Sequence, residues 1–162
     1  MSTMTGTPRL PAWLTTSVAV LSGLLALGVG HLASGFVGAG ASPYFAVGNA
    51  AIDLTPAWLK DFAVRTFGTY DKLVLLLGMA ATIVAFLVAA GLLSRRDARP
   101  GMLMIAALGT VGTIAVFTRP DVGLLGPLAG VAATVAGVVA FRLLHDLARR
   151  TLVEPGARAP VR

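Results

Sequence analysis

Apolar residues fall in long runs along this chain, and the polar ones gather between them. Between Arg9 and Asp53 there is no Asp, Glu, Lys or Arg, and the part over 13–38 is long enough to cross a bilayer core at about 1.5 Å of rise per residue. The clearest run, LVLLLGMAATIVAFLVAAGLL over 73–93, starts just after Asp71 and Lys72 and stops at Ser94, Arg95 and Arg96. A shorter run over 102–118 follows Arg99, Pro100 and Gly101, and a last one covers 122–144, with Gly126, Pro127 and Gly130 in its first half. Only RPDVG separates these two, which predicts a tight hairpin. The pattern predicts an all-α integral membrane bundle of four transmembrane helices. A lone Arg9, a long apolar region and the lack of an A-x-A-like site argue for a first span over a signal peptide.

The connector between the first two runs is different in kind. IDLTPAWLKDFAVRTFGTYDK, over 52–72, carries six of the chain's twenty Lys, Arg, Asp and Glu residues. Thr55 is a good N-cap, Pro56 suits a first turn, and Gly68 can end a helix. Trp58, Leu59, Phe62, Ala63 and Thr66 share one helical face, with Lys60, Asp61 and Arg65 displaced from it. This predicts a short interfacial helix over 55–67 with Trp58 at headgroup depth. Two readings stay open, a membrane-surface anchor and a docking platform. For the second, Asp53, Trp58, Lys60, Asp61, Arg65, Tyr70 and Asp71 are the candidates for contact with a partner.

Charge changes the picture by giving it a direction. The chain is 56% hydrophobic and 12% charged, with a mean hydropathy of +0.84, whereas a soluble domain is about 25% charged. Its net charge of +6 comes from residues that flank the apolar runs, not from a basic patch interleaved with aromatics, so nucleic acid is not the expected partner. Nine basic residues (Arg9, Arg95, Arg96, Arg99, Arg142, Arg149, Arg150, Arg158 and Arg162) fall on one side of the four spans and four on the other. The positive-inside rule then places both termini in the cytoplasm of a cell-membrane protein and the 52–72 connector outside. The expected division is a cytoplasmic tail over 1–12, a membrane domain over 13–146 and a cytoplasmic tail over 147–162.

Candidate chemistry is sparse. There is no cysteine, which removes disulfides, thiolate metal sites and cysteine nucleophiles. His31 is the one ionisable side chain deep within a predicted span, and such a residue is a functional candidate by default. A bis-histidine haem would need His145 as its partner, but the two lie near opposite faces of the bilayer. A neutral His31 hydrogen-bonded across a helix interface is the expectation. No set of mid-membrane charges and no inverted repeat supports a transporter or channel. The four-residue spacings Gly30, Ser34, Gly38 and Gly126, Gly130, and the pair Ala133 and Gly137, predict helix contact faces. GVGHLASG fails the dinucleotide spacing, and no HExxH, Walker loop, catalytic triad or zinc pattern is present. No cofactor is expected on this chain itself.

The stretch SPYFAVGNAAIDLTPAWLKDFAVRTFGTYDKLVLL, over 42–76, resembles the amino-terminal membrane region of actinobacterial molybdopterin-dependent oxidoreductases of the sulfite-oxidase type. There a similar SP…AVG…IDLTP…K…A…FGT.DK pattern joins the first two spans, and TRPD over 118–121 and the order of four spans also agree. The resemblance implies a membrane domain that holds an extracytoplasmic molybdenum-cofactor domain or a separately encoded molybdoenzyme. Members continue into a further hydrophobic segment and the cofactor domain, whereas this sequence ends in VEPGARAPVR and lacks the molybdenum-ligating cysteine. His31 stands where the resemblance places an acidic residue. The chain alone is therefore expected to be catalytically inactive. The resemblance leaves a second expectation, a non-catalytic structural subunit, either in a larger respiratory or envelope complex or as a homo-oligomer in the bilayer.

Overall fold

The computed structural model describes residues 9–38, 41–119 and 122–152. Among them there are six α-helices and no strands. In chain order these are α1 (Ala12–Val37), α2 (Pro43–Leu54), α3 (Ala57–Phe67), α4 (Asp71–Leu93), α5 (Arg99–Phe117) and α6 (Pro127–Leu152), with a 3-10 turn over Gly68–Tyr70. Helices α1, α4, α5 and α6 are each long and apolar enough to cross a membrane, so the chain is an all-α, multi-pass membrane protein.

The four long helices form a ring. α1 packs against α6 and α4, and α5 packs against the same two from the other side. Two apolar clusters hold it together. One gathers Val18, Ala19, Leu87, Ala90, Ile105 and Phe141 toward the end where the α4–α5 loop lies. The other joins Ala41 and Ala46 to Ala115, Val116 and Ala129 at the opposite end. Lipid is as apolar as these side chains, so burial gives little drive between helices and close packing must supply it. Gly91 shows how: a Cβ there would lie 2.6 Å from the Thr16 Cα, so α1 and α4 touch backbone to backbone.

Three hydroxyls on the long helices stay within their own helix. Ser22 donates to the Val18 carbonyl, Thr113 to Gly109, and Thr134 to Gly130, each within its own helix. Cross-element polar bonds are concentrated instead at the end rich in arginine. The Leu10 amide donates to the Arg95 carbonyl at 2.8 Å, Arg95 Nε returns a bond to the Leu10 carbonyl at 3.2 Å, and Arg149 donates to the Arg96 carbonyl at 2.6 Å. The first turn of α5 has its amides met there as well. Arg99 N–H donates to Asp97 Oδ1, Gly101 N–H to Ser94 Oγ, and Pro100 has none to satisfy.

Several boundaries differ from the sequence expectation, for physical reasons. Leu10, assigned to a tail, is 1% exposed because its backbone is clamped by Arg95. α5 starts at Arg99, since Pro100 fits a first turn. α6 starts at Pro127, not 122, and runs on to Leu152, because Ala148 is buried against the bundle and Arg149 is bonded to the α4–α5 loop. Gly30, Ser34, Gly126, Gly130, Ala133 and Gly137 are buried as contact positions, but Gly38 is exposed and caps α1 with φ +146°. The largest difference is α2. What reads as a connector folds back as a helix, and Pro43 reaches Gly30 of α1 and Gly112 of α5, both well inside their helices.

Candidate functional site

The seven expected contact residues run from the last turn of α2 to the first of α4. Asp53 is exposed on α2. α3 brings four of them together: Trp58 is 69% exposed, Asp61 and Arg65 are exposed, and Lys60 is partly so. Tyr70, in the 3-10 turn, is 68% exposed. Asp71 opens α4, but its side chain lies outside the described ones, as do those of Leu59 and Ala63. None of Asp53, Lys60, Asp61 and Arg65 is ion-paired to a described residue.

Local sequence explains how α3 is set apart. Thr55 was expected to cap it, but its hydroxyl instead donates to the Ala51 carbonyl at 2.5 Å and closes α2. Pro56 is the cap residue, in extended conformation. Gly68 ends α3 as expected, at φ +56°, with its N–H on the Val64 carbonyl. Between these two breaks α3 packs chiefly against the 3-10 turn and α4, so Trp58, Phe62 and Val64 stay uncovered by the bundle.

The His31 ring makes no hydrogen bond across a helix interface among the described residues. The residue is exposed, with its ring tilted 58° against Phe45 of α2 at 6.3 Å between centroids, and its backbone carbonyl accepts from Ser34 Oγ. His145 lies at the other end of the ring, bonded to the α4–α5 loop. From the start of α1, next to that loop, His31 is about 28 Å along the helix axis. The two histidines therefore do not share a ligand. Among the described residues no three His, Asp or Glu converge on a metal position. A molybdenum cofactor of the resembled type needs a thiolate, and the chain has no cysteine. These residues do not fit such a group, and no step is derived through it.

Sequence reasoning missed the interior. Beneath α2 the ring holds a partly open cavity of about 280 Å³, lined among others by Gly23, Tyr44, Met79, Ile105, Gly112 and Thr134. Tyr44 and Val47 of α2 form part of its wall, and Tyr44 Oη donates to the Leu76 carbonyl of α4 at 2.8 Å. The available signal was Ser42-Pro43, a helix-start pair followed by small residues, in a stretch too short to span.

No family model, curated protein or solved structure matches the chain.

Proposed function

We propose that this chain is the membrane anchor and docking domain of a molybdopterin-dependent oxidoreductase system, holding an extracytoplasmic redox partner at the bilayer. The observation that carries this reading is α3. It touches the ring chiefly through α4 and combines uncovered aromatic residues with charges that are unpaired among the described residues, a composition suited to a surface that meets both headgroups and protein. The resemblance over 42–76 supplies the class of partner. The arginine-rich end, with Arg95, Arg96, Arg99, Arg142, Arg149 and Arg150, sits in the cytoplasm, which puts α3 on the outer side. In this reading redox chemistry resides on the partner, and this chain contributes position and a docking face.

The test is purification from the native membrane in mild detergent, with molybdenum content and co-eluting proteins determined. Molybdenum together with an extracytoplasmic enzyme is the expected result, and Lys60→Glu with Arg65→Glu should weaken that association. A homo-oligomer or a respiratory assembly without molybdenum would replace this reading with that of a structural subunit. A carboxyl-terminal reporter that proved active outside the membrane would reverse the orientation.

A further inference from the structure

The cavity beneath α2 has a chemistry, a size and a doorway that together select an occupant. Its length follows from the helix that flanks it: Met79 and Leu87 of α4 both line it, eight residues or about 12 Å apart along the axis. It therefore runs along the helices as a slot.

The slot has no polar hydrogen to offer. The hydroxyls among its lining belong to Tyr44, Thr82 and Thr134, and each donates to a backbone carbonyl, of Leu76, Gly78 and Gly130 respectively. Among the described residues no charged side chain lines it. A water molecule needs two to four polar partners to settle in such a place, and an ion or polar headgroup needs more. Its volume, 280 Å³, is nearly twice that of an apolar cavity of about 150 Å³ that stays dry and binds benzene. Hydrocarbon is the remaining class.

The doorway fixes the source. Thr82 of α4 and Val111 of α5 both line the cavity and are both exposed on the outside of the ring. α2 covers the cavity from one side, against Gly112 of α5 and with Gly48 near Met79 of α4. The exposed lining residues Thr82 and Val111 therefore mark where the cavity opens, well inside two helices of spanning length, where the solvent is acyl chain. Nothing at the doorway carries a charge or a free donor that would single out a lipid with a ring or a sugar at its head.

We infer that one acyl chain of a bilayer phospholipid enters between α4 and α5 and fills the cavity under α2, with its headgroup left in the bilayer outside. The chain is then a built-in part of the fold, completing the packing between the α2 roof and the Ile105 and Leu87 floor.

The full-length protein in phosphatidylglycerol vesicles, doped with a phospholipid bearing a mid-chain diazirine, provides the test. After irradiation and digestion, adducts are expected on Met79, Leu108 or Thr134 as well as on lipid-facing Val139 and Leu143. Leu108→Phe, which fills the slot, should abolish the cavity adducts and leave those at Val139 and Leu143 unchanged. Ile83→Phe, from the opposite wall, should do the same if the first variant does not fold. Labelling of Val139 and Leu143 without any cavity adduct in the unaltered protein would overturn the inference, as would cavity adducts that survive both substitutions. Displacement of the acyl label by an equimolar polyisoprenoid alcohol would overturn the phospholipid as the source. None of these outcomes depends on a redox partner, so failure here and failure of the anchor reading are separate.

Discussion

His145 Nε2 donates a hydrogen bond to the Ser94 carbonyl oxygen at 2.8 Å, linking α6 to the loop that joins α4 and α5 across 51 residues of sequence. The imidazole is 1% exposed and stacks on Phe141 at 5.8 Å with 25° between planes. A carbonyl can only accept, so the proton is on Nε2, and Nδ1 has no partner among the described residues. The same loop also receives Arg149 on the Arg96 carbonyl and Leu10 on Arg95. Two chain segments, α6 through His145 and Arg149 and the residues ahead of α1 through Leu10, are thereby fixed to one turn.

That relationship makes His145 a stability residue and His31 an indifferent one. His145→Ala would strip the Ser94 carbonyl of its partner and leave a void beside Phe141, for a loss of about 2–4 kcal/mol. His31→Ala removes an exposed ring from the side of Phe45 and should shift stability by less than about 0.5 kcal/mol. Thermal unfolding of both variants in detergent checks this; equal shifts would mean that the buried bond contributes nothing.

Close approach between α1 and α4 predicts opposite outcomes for two glycines of one helix. A Cβ on Gly91 would meet the Thr16 Cα at 2.6 Å and the Thr15 carbonyl oxygen at 2.7 Å, backbone atoms that cannot swing aside. Gly91→Ala should cost about 1–3 kcal/mol or more by forcing the helices apart. At Gly78 a Cβ would meet nothing within 4 Å, so Gly78→Ala should gain about 0.5–1 kcal/mol from helix propensity alone. If both substitutions proved neutral in an unfolding experiment, α1 and α4 would not be in backbone contact.

The depth of α3 can be read from its tryptophan. The chain has two, Trp13 and Trp58, so Trp13→Phe leaves Trp58 as the sole reporter. In vesicles of brominated phospholipid its fluorescence should be quenched most by bromines placed nearest the headgroup, as expected for an amphipathic helix in the interface. Strongest quenching by bromines near the chain end would place α3 inside the bilayer, and no quenching at any depth would place it clear of the lipid.

How much of this was legible beforehand depends on the kind of signal. α4 was readable almost to the residue, because an uninterrupted apolar run bounded by charges has one reading in a membrane chain. The limits of α3 were nearly as clear, since Pro56 and Gly68 act through backbone geometry that neighbours do not alter. The contact faces at Gly30 and at Gly130 through Gly137 followed from small residues at helical spacing, whereas the touching of Gly91 and Thr16 did not, because spacing alone does not name a partner. The candidate residues of α3 were visible as a cluster of charge in an apolar chain. Thr55 was assigned to the wrong helix: its hydroxyl proton goes to the Ala51 carbonyl at the end of α2, and no first-turn amide of α3 donates to its oxygen.

Four helices fit to cross a membrane, and a polar helix between the first two, follow from composition and period within single segments. That the stretch after α1 turns back as α2, that His145 rather than His31 is held, and that a cavity lies under α2 came from the packing of the helices. Each of these depends on which helices meet and at what depth, and in a medium where every apolar face is equally content with lipid, only the fit of one surface against another makes that choice.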